Sequence, residues 1–326
     1  MRFRYTFDVQ SNTRLDSTLQ FTWDGYDFRL QPENGRLTKI VVTSPNATVP
    51  LDWFALRQHT SYTDPPDPFF EKVQSWLRVV NGALGLRGVA DIGLDECLRE
   101  FIPSTVDENA KMQRKSMRYE RFRRNQLPLG DYIPDFVLQC VLCYETIRDY
   151  EIPLEFHRRG QNDLLGGQYV DAIVNFFFVL EYLFSDGQYQ TKQLIKNFQR
   201  SSQLTDGLAE ARRQMSRQLR GANPAAQQKY QQRYGNTTNE QVIKTIVEEL
   251  RGFLHHQSAK RSQTWHPTVQ RDYGVDAHFL GAVSQYVLLN SVDELFGSDA
   301  AKEKLNATKV VRSETTPLGS PAPGTA

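Results

Sequence analysis

An arginine, three histidines and two further cations crowd into one stretch. It runs Arg251-Gly252-Phe253-Leu254-His255-His256 and continues through Lys260 and Arg261 to His266. A guanidinium stays protonated at neutral pH and forks onto two phosphate oxygens. Imidazole titrates near neutrality, so it both accepts and donates protons there. These are the groups that metal-free RNA cleavage requires. A base takes the 2′-OH proton, an acid protonates the departing 5′-oxygen, and a cation stabilises the charged pentavalent intermediate. A plainer reading stands beside this one: cations gather at a helix C-terminus because the dipole is negative there, and the cluster does no more than that. His255, at i+4 from Arg251, shares its helical face. His256, at i+5, lies about 140° away on an ideal helix. Arg251 and His256 therefore converge only where the helix ends or kinks, which Gly252 and the polar Gln257-Ser258 permit.

The elements that must hold this cluster read as helices. Thr237 or Thr238 caps a helix whose apolar stripe is Val242, Ile243, Ile246, Val247, Leu250, Phe253 and Leu254. A loop follows through Pro267, and Asp276 starts a last helix carrying Phe279, Leu280, Val283, Val287, Val292 and Phe296. Upstream, Phe136, Val137, Cys140, Val141, Tyr144 and Ile147 form another stripe, and Leu194, Ile195 and Phe198 a shorter one. Tyr169 to Phe184 is apolar nearly all round, which predicts a helix in the middle of a bundle. The polar segment from Gln199 to Arg233, rich in Gln and Arg, reads as a solvent-facing helical excursion broken at Gly221 and Pro224. The second half is thus expected to be an all-α bundle of about five helices.

The first half differs in period. Phe3, Tyr5, Phe7 and Val9 alternate with polar residues, as do Leu19, Phe21 and Trp23, and then Tyr26, Phe28 and Leu30. Asp24-Gly25 between two such runs predicts a hairpin, Asn34-Gly35 marks a second turn, and Lys39 to Thr43 another strand. Clustered prolines between Ser61 and Pro68 make a linker or stiff loop. Beyond them Phe69, Phe70, Val73, Trp76, Leu77, Val80 and Leu84 predict a helix weakened at its end by Gly82, Gly85 and Gly88. Leu94, Cys97, Leu98 and Phe101 predict a short second helix closed by Pro103. From Lys111 to Arg124 the chain is basic, which reads as a solvated connector in preference to a phosphate-contacting stripe. The expected organisation is α+β: a small antiparallel β unit over residues 1–62, a helical and basic connector over 63–130, a larger helical bundle over 131–300 and a disordered tail over 301–326.

Composition narrows the rest. Lys and Arg number 39 against 38 Asp and Glu, a net charge of +1, so any polyanion site must come from local clustering. The start Met1-Arg2-Phe3-Arg4-Tyr5 has no signal-peptide core, and no window is apolar for long enough to span a bilayer. Three cysteines, Cys97, Cys140 and Cys143, fit a reducing cytoplasm. Cys140-Val141-Leu142-Cys143 is a C-x-x-C without a second ligand pair, inside an apolar run, and reads as core. His59, His157 and His278 are isolated and expected at surface or partly satisfied positions. No phosphate-binding loop, dinucleotide fingerprint, nucleophile elbow or zinc-protease motif is found.

An R-x4-H near the end of a late helix in an all-α bundle resembles the HEPN superfamily. Arg251-Gly-Phe-Leu-His-His256 matches its R-x4-6-H motif, and the helix with Ala172, Phe176, Leu180, Glu181 and Leu183 resembles its central helix. The resemblance covers about residues 135–297. It implies a homodimer with two motifs facing across a cleft, and a cofactor-free, metal-independent endoribonuclease of defence or toxin systems that leaves a 2′,3′-cyclic phosphate. By that resemblance Arg251 is the phosphate-stabilising cation and His256, with His255, the general base or acid; Lys260, Arg261 and His266 would bind RNA. Active members commonly carry a polar residue after the arginine, where this chain has Gly252. Some members are non-catalytic and bind RNA or a partner instead.

Overall fold

The computed structural model describes residues 2–47, 69–88, 90–94, 97–102, 134–220, 224–254 and 270–313. An N-terminal antiparallel sheet is followed by a mostly helical region, the α+β class expected. Two compact units divide the chain: residues 1–81, 87–144 and 299–326 in the first, residues 82–86 and 145–298 in the second.

In the first unit, β1 (Arg2–Ser11) buries Phe3, Tyr5, Phe7 and Val9 and exposes Arg4 and Asp8, as its alternation predicts. β2 (Thr18–Trp23) and β3 (Tyr26–Glu33) turn at Asp24-Gly25, with φ of 50° and 78°. β3 and β4 (Arg36–Thr43) turn at Asn34-Gly35, with φ of 53° and 72°. Positive φ at both central positions is the two-residue hairpin geometry that these dipeptides favour. Helix α1 (Phe70–Arg87) carries Trp76, whose ring meets Tyr26 edge-on at 4.8 Å.

Several expectations for this unit are corrected. The segment predicted as a short helix is strand β6 (Leu98–Ile102), paired with the first half of β1; β5 (Ala90–Ile92) pairs with its second half. Leu94, Cys97, Leu98 and Phe101 have helical spacing, but β1 offers an open edge that local periodicity cannot foresee. Residues 90–92 and 98–102 therefore belong to the sheet and not to a connector. The tail is likewise not structureless from 301 onward: helix α12 (Asp299–Ala307) is followed by β7 (Val310–Ser313), which pairs with β2. The sheet order is β5-β1-β4-β3-β2-β7, with β6 also on β1. The proline cluster, the basic run 111–124 and residues 314–326 lie outside the described residues. Helix α2 (Pro134–Leu142), expected in the bundle, groups with the first unit.

The second unit is helical: α3 (Tyr144–Ile147), α4 (Glu151–Leu165), α5 (Tyr169–Phe184), α6 (Thr191–Arg200), α7 (Ser202–Gln218), α8 (Pro224–Tyr230), α9 (Asn239–Lys244), α10 (Gly252–Leu254) and α11 (Gly274–Phe296). These helices are more numerous and shorter than expected. Helix α5 is central as predicted, burying Val170, Ala172, Ile173, Phe176, Phe177, Val179 and Leu180 against neighbours that include α4 and α11. A Cβ on Gly160 of α4 would stand 2.5 Å from the Phe176 ring, so only glycine admits that ring. Gly82 and Gly85 do not weaken α1. They let α4 approach, since a Cβ on Gly82 would lie 2.7 Å from that of Leu154. The supposed excursion is core as well: α7 buries Leu204, Leu208, Ala211 and Met215 along one face. Among the described residues no helix is long and apolar enough to cross a membrane.

Candidate functional site

Arg251 is the sequence-predicted site residue that the described chain contains; His255, His256, Lys260, Arg261 and His266 lie outside it. Thr238 opens the segment that carries Arg251, closing a capping box with Gln241. Val242, Ile243, Ile246, Val247, Leu250 and Leu254 are buried, as the stripe predicts. From Thr245 to Arg251 the turn widens to a π-helix, bonded i to i+5, which re-phases the last residues against the bundle. Gly252 follows in ordinary helical conformation, φ −62° and ψ −32°, so it does not break the helix.

Three groups orient the Arg251 guanidinium. Its Nη2 donates to the Tyr189 carbonyl at 3.1 Å and stands 3.7 Å from Glu181 Oε1, and its carbon lies 5.7 Å from the Phe177 ring centre. Glu181 and Phe177 both come from α5, the helix singled out for its resemblance. The Arg251 side chain is 19% exposed. Chemically it is a half-buried cation in reach of solvent, steadied by a carboxylate and an aromatic face.

A second cluster escaped the sequence reading. A cleft of about 350 Å³ is lined by Arg212, Arg213, Ser216, Arg217, Arg220, Tyr230, Gln231 and Gly235. Arg213 and Arg217, at i and i+4, lie two residues out of phase with the buried Leu204-Leu208-Ala211-Met215 stripe and hence on the opposite face of α7, and Arg220 follows in the turn just past its end. That spacing is the signal that could have found them. Arg212 has a different task. It donates to the carbonyls of Tyr234 (2.8 Å) and Thr237 (3.0 Å) and to Asn239 Oδ1, tying down the π-turn Gln231–Gly235 that walls the cleft. Burial holds its pKa below the usual guanidinium range.

Other polar groups are structural. Asp276, 1% exposed, meets Lys229 Nζ and Arg233 Nε at 2.8 Å each and accepts from the Tyr234 hydroxyl. The Arg233 Nε contact is an ion pair without hydrogen-bond alignment. Burial, with Asp276 beside it, pushes the Tyr234 phenol well above its ordinary range. His157 is fully buried and satisfied, its Nδ1 2.8 Å from Ser284 Oγ. Cys140 and Cys143 are buried free thiols, both raised by desolvation, as the core reading of the C-x-x-C expects. His59 lies outside the described residues, and His278 is exposed. Among the described residues no three His, Cys, Asp or Glu side chains are grouped to hold a metal ion.

Compared with known proteins, the chain matches no family model, no curated protein and no solved structure.

Proposed function

We propose that the protein is a metal-independent endoribonuclease of the HEPN type, acting on RNA as a cytoplasmic homodimer, with Arg251 as the phosphate-facing cation and His256, with His255, moving the protons. The observation that carries this reading is the posture of Arg251. Glu181, the Tyr189 carbonyl and the Phe177 ring orient it, yet among the described residues one hydrogen bond from Nη2 is the only one it donates. A guanidinium has five N–H groups, so an oriented one with donors in reserve is suited to a phosphodiester. Among the described residues a Cβ at position 252 would meet only the Val247 carbonyl oxygen, at 3.7 Å, an ordinary contact.

A second reading, a non-catalytic RNA-binding or dimerising scaffold, is favoured by Glu181, whose carboxylate compensates the same guanidinium. Cleavage of RNA in EDTA separates the two. The nuclease reading expects fragments ending in 2′,3′-cyclic phosphate, lost in both Arg251→Ala and His256→Ala. Undiminished cleavage by His256→Ala would sink it, and RNA retention without turnover by the wild type would leave the scaffold.

A further inference from the structure

The arginine cleft of α7 has no part in the reading of Arg251, and folding alone does not account for it. Arg213 and Arg217 are like charges one turn apart, an arrangement that destabilises a helix by about 0.2–0.5 kcal/mol. The negative end of the helix dipole favours cations beside the α7 C-terminus, such as Arg217 and Arg220, and does not explain why they share one cleft with Arg212 and Arg213. Arg213 pairs with Glu210 at 2.7 Å. Among the described residues, the guanidinium groups of Arg217 and Arg220 have no hydrogen-bond or ion-pair partner, and no carboxylate lines the cleft. In a chain of net charge +1 this is a local segregation of positive charge.

We propose that this cleft is a binding site for a compact, multiply charged phosphate compound of the polyphosphate class. Arg217 and Arg220 would supply the principal contacts and Arg213 would share its charge with Glu210. The lining argues for phosphate and against bases. Tyr230, the aromatic side chain of the cleft, is 2% exposed. Its hydroxyl donates to the Arg212 carbonyl at 3.0 Å and lies 3.2 Å from Ser216 Oγ. It presents no face on which a base could stack, whereas single-strand binders rely on such faces. The basic track also stops at the cleft, because the neighbouring cations Lys229 and Arg233 are committed to Asp276. An extended strand would find no continuation, and a small polyanion needs none. The π-turn wall is pinned by Arg212, so the site is formed before any ligand arrives.

Calorimetric titration of the full chain with inorganic tripolyphosphate tests this. Saturable binding is expected, weakened at least about tenfold in the Arg217→Ala/Arg220→Ala double variant and several-fold as salt rises from about 50 to 300 mM. Both residues are exposed, so the variant should fold, which its circular dichroism checks. A Lys192→Ala/Arg200→Ala control, at exposed cations of α6, should bind as the wild type does. Absence of saturable binding, a double variant within twofold of wild type, or an equal loss in the control would overturn the proposal. So would an oligouridylate of matched phosphate count that binds more tightly than tripolyphosphate through the same two arginines.

Discussion

His157 gives this fold a pH dependence that can be worked out from its surroundings. The ring is fully buried in the second unit, 5.6 Å from the Phe176 ring, and burial drives its pKa down to about 3. Ser284 Oγ donates to the Gly281 carbonyl, so it must accept from His157 Nδ1–H; that leaves Nε2 as the acceptor facing Gln161 Nε2 at 3.4 Å. The network therefore assigns the neutral Nδ1–H tautomer and has no place for a second proton. In the unfolded chain the imidazole titrates near 6.5. A base with a depressed folded pKa takes up its proton first in the unfolded state. Stability from this residue is thus complete above about pH 6.5 and is lost as pH falls from there toward about 3. At pH 5 the unfolded side chain lies about 1.5 pH units below its pKa while the folded one is still neutral, which costs about 2 kcal/mol. Urea unfolding of wild type and His157→Gln at pH 8 and pH 5 isolates this from every other titration. The glutamine removes the ionisation, so the stability advantage of the wild type should shrink by about 2 kcal/mol between the two conditions. A change below about 0.5 kcal/mol, or a native His157 proton resonance that titrates between pH 8 and pH 5, would refute the reasoning.

Two further substitutions probe the charged groups. Asp276→Asn keeps an acceptor for the Tyr234 hydroxyl but takes the buried counter-ion from Lys229 and Arg233, which keep the Asp272 carbonyl and Glu249 (3.2 Å) respectively. It should lower unfolding free energy by about 3 kcal/mol, the low end for a buried pair because the two cations are 32% and 27% exposed. A loss under about 1 kcal/mol would show that the network is not a tie. Glu181→Gln removes the carboxylate 3.7 Å from Arg251, and this part-exposed pair should cost less than about 1 kcal/mol of stability. Filter binding with uncleavable 2′-O-methyl RNA should then show affinity raised several-fold, and unchanged affinity would remove Arg251 as the phosphate cation.

What was legible in the sequence followed from local chemistry. Asp24-Gly25 and Asn34-Gly35 specify their turns because both positions need positive φ, and of the two candidate caps, Thr237 and Thr238, it is Thr238 that starts the helix. The stripe from Val242 to Leu254 was readable from its period. The failures were non-local. Residues 98–102 and 310–313 become strands because β1 and β2 present edges far away in sequence. Gly82 and Gly85 read as helix breakers until α4 is seen to need their missing side chains. In α7, density of Gln and Arg hid a narrow apolar face of Leu204, Leu208, Ala211 and Met215. Of the candidate site, the sequence held the motif and the helix that contacts it, yet nothing in it joined Arg251 to the Tyr189 carbonyl or to the Glu181 carboxylate.

The arginines of the second unit separate by what surrounds them. Arg212 stitches backbone carbonyls, Arg233 answers a buried carboxylate, and each has a stabilising task that would be missed if it were removed. Arg251 stands between, half-buried and half-compensated. Arg217 and Arg220 complete the series as exposed cations next to other cations, with no partner among the described residues. A folded chain gains from the first kind and little from the last, since Glu210 beside Arg213 and the helix dipole do no more than offset the repulsion among these cations. Packing therefore accounts for Arg212 and Arg233, and the proposed polyphosphate would give Arg217 and Arg220 the partner that no described residue supplies. The same logic ranks the two candidate sites by what they can take. Around Arg251 an anion must compete with Glu181, so binding there is conditional on rearrangement or on a transition state that outbids a carboxylate. In the α7 cleft the competing carboxylate is Glu210, which holds Arg213 alone, so a ground-state anion meets Arg217 and Arg220 without a described competitor.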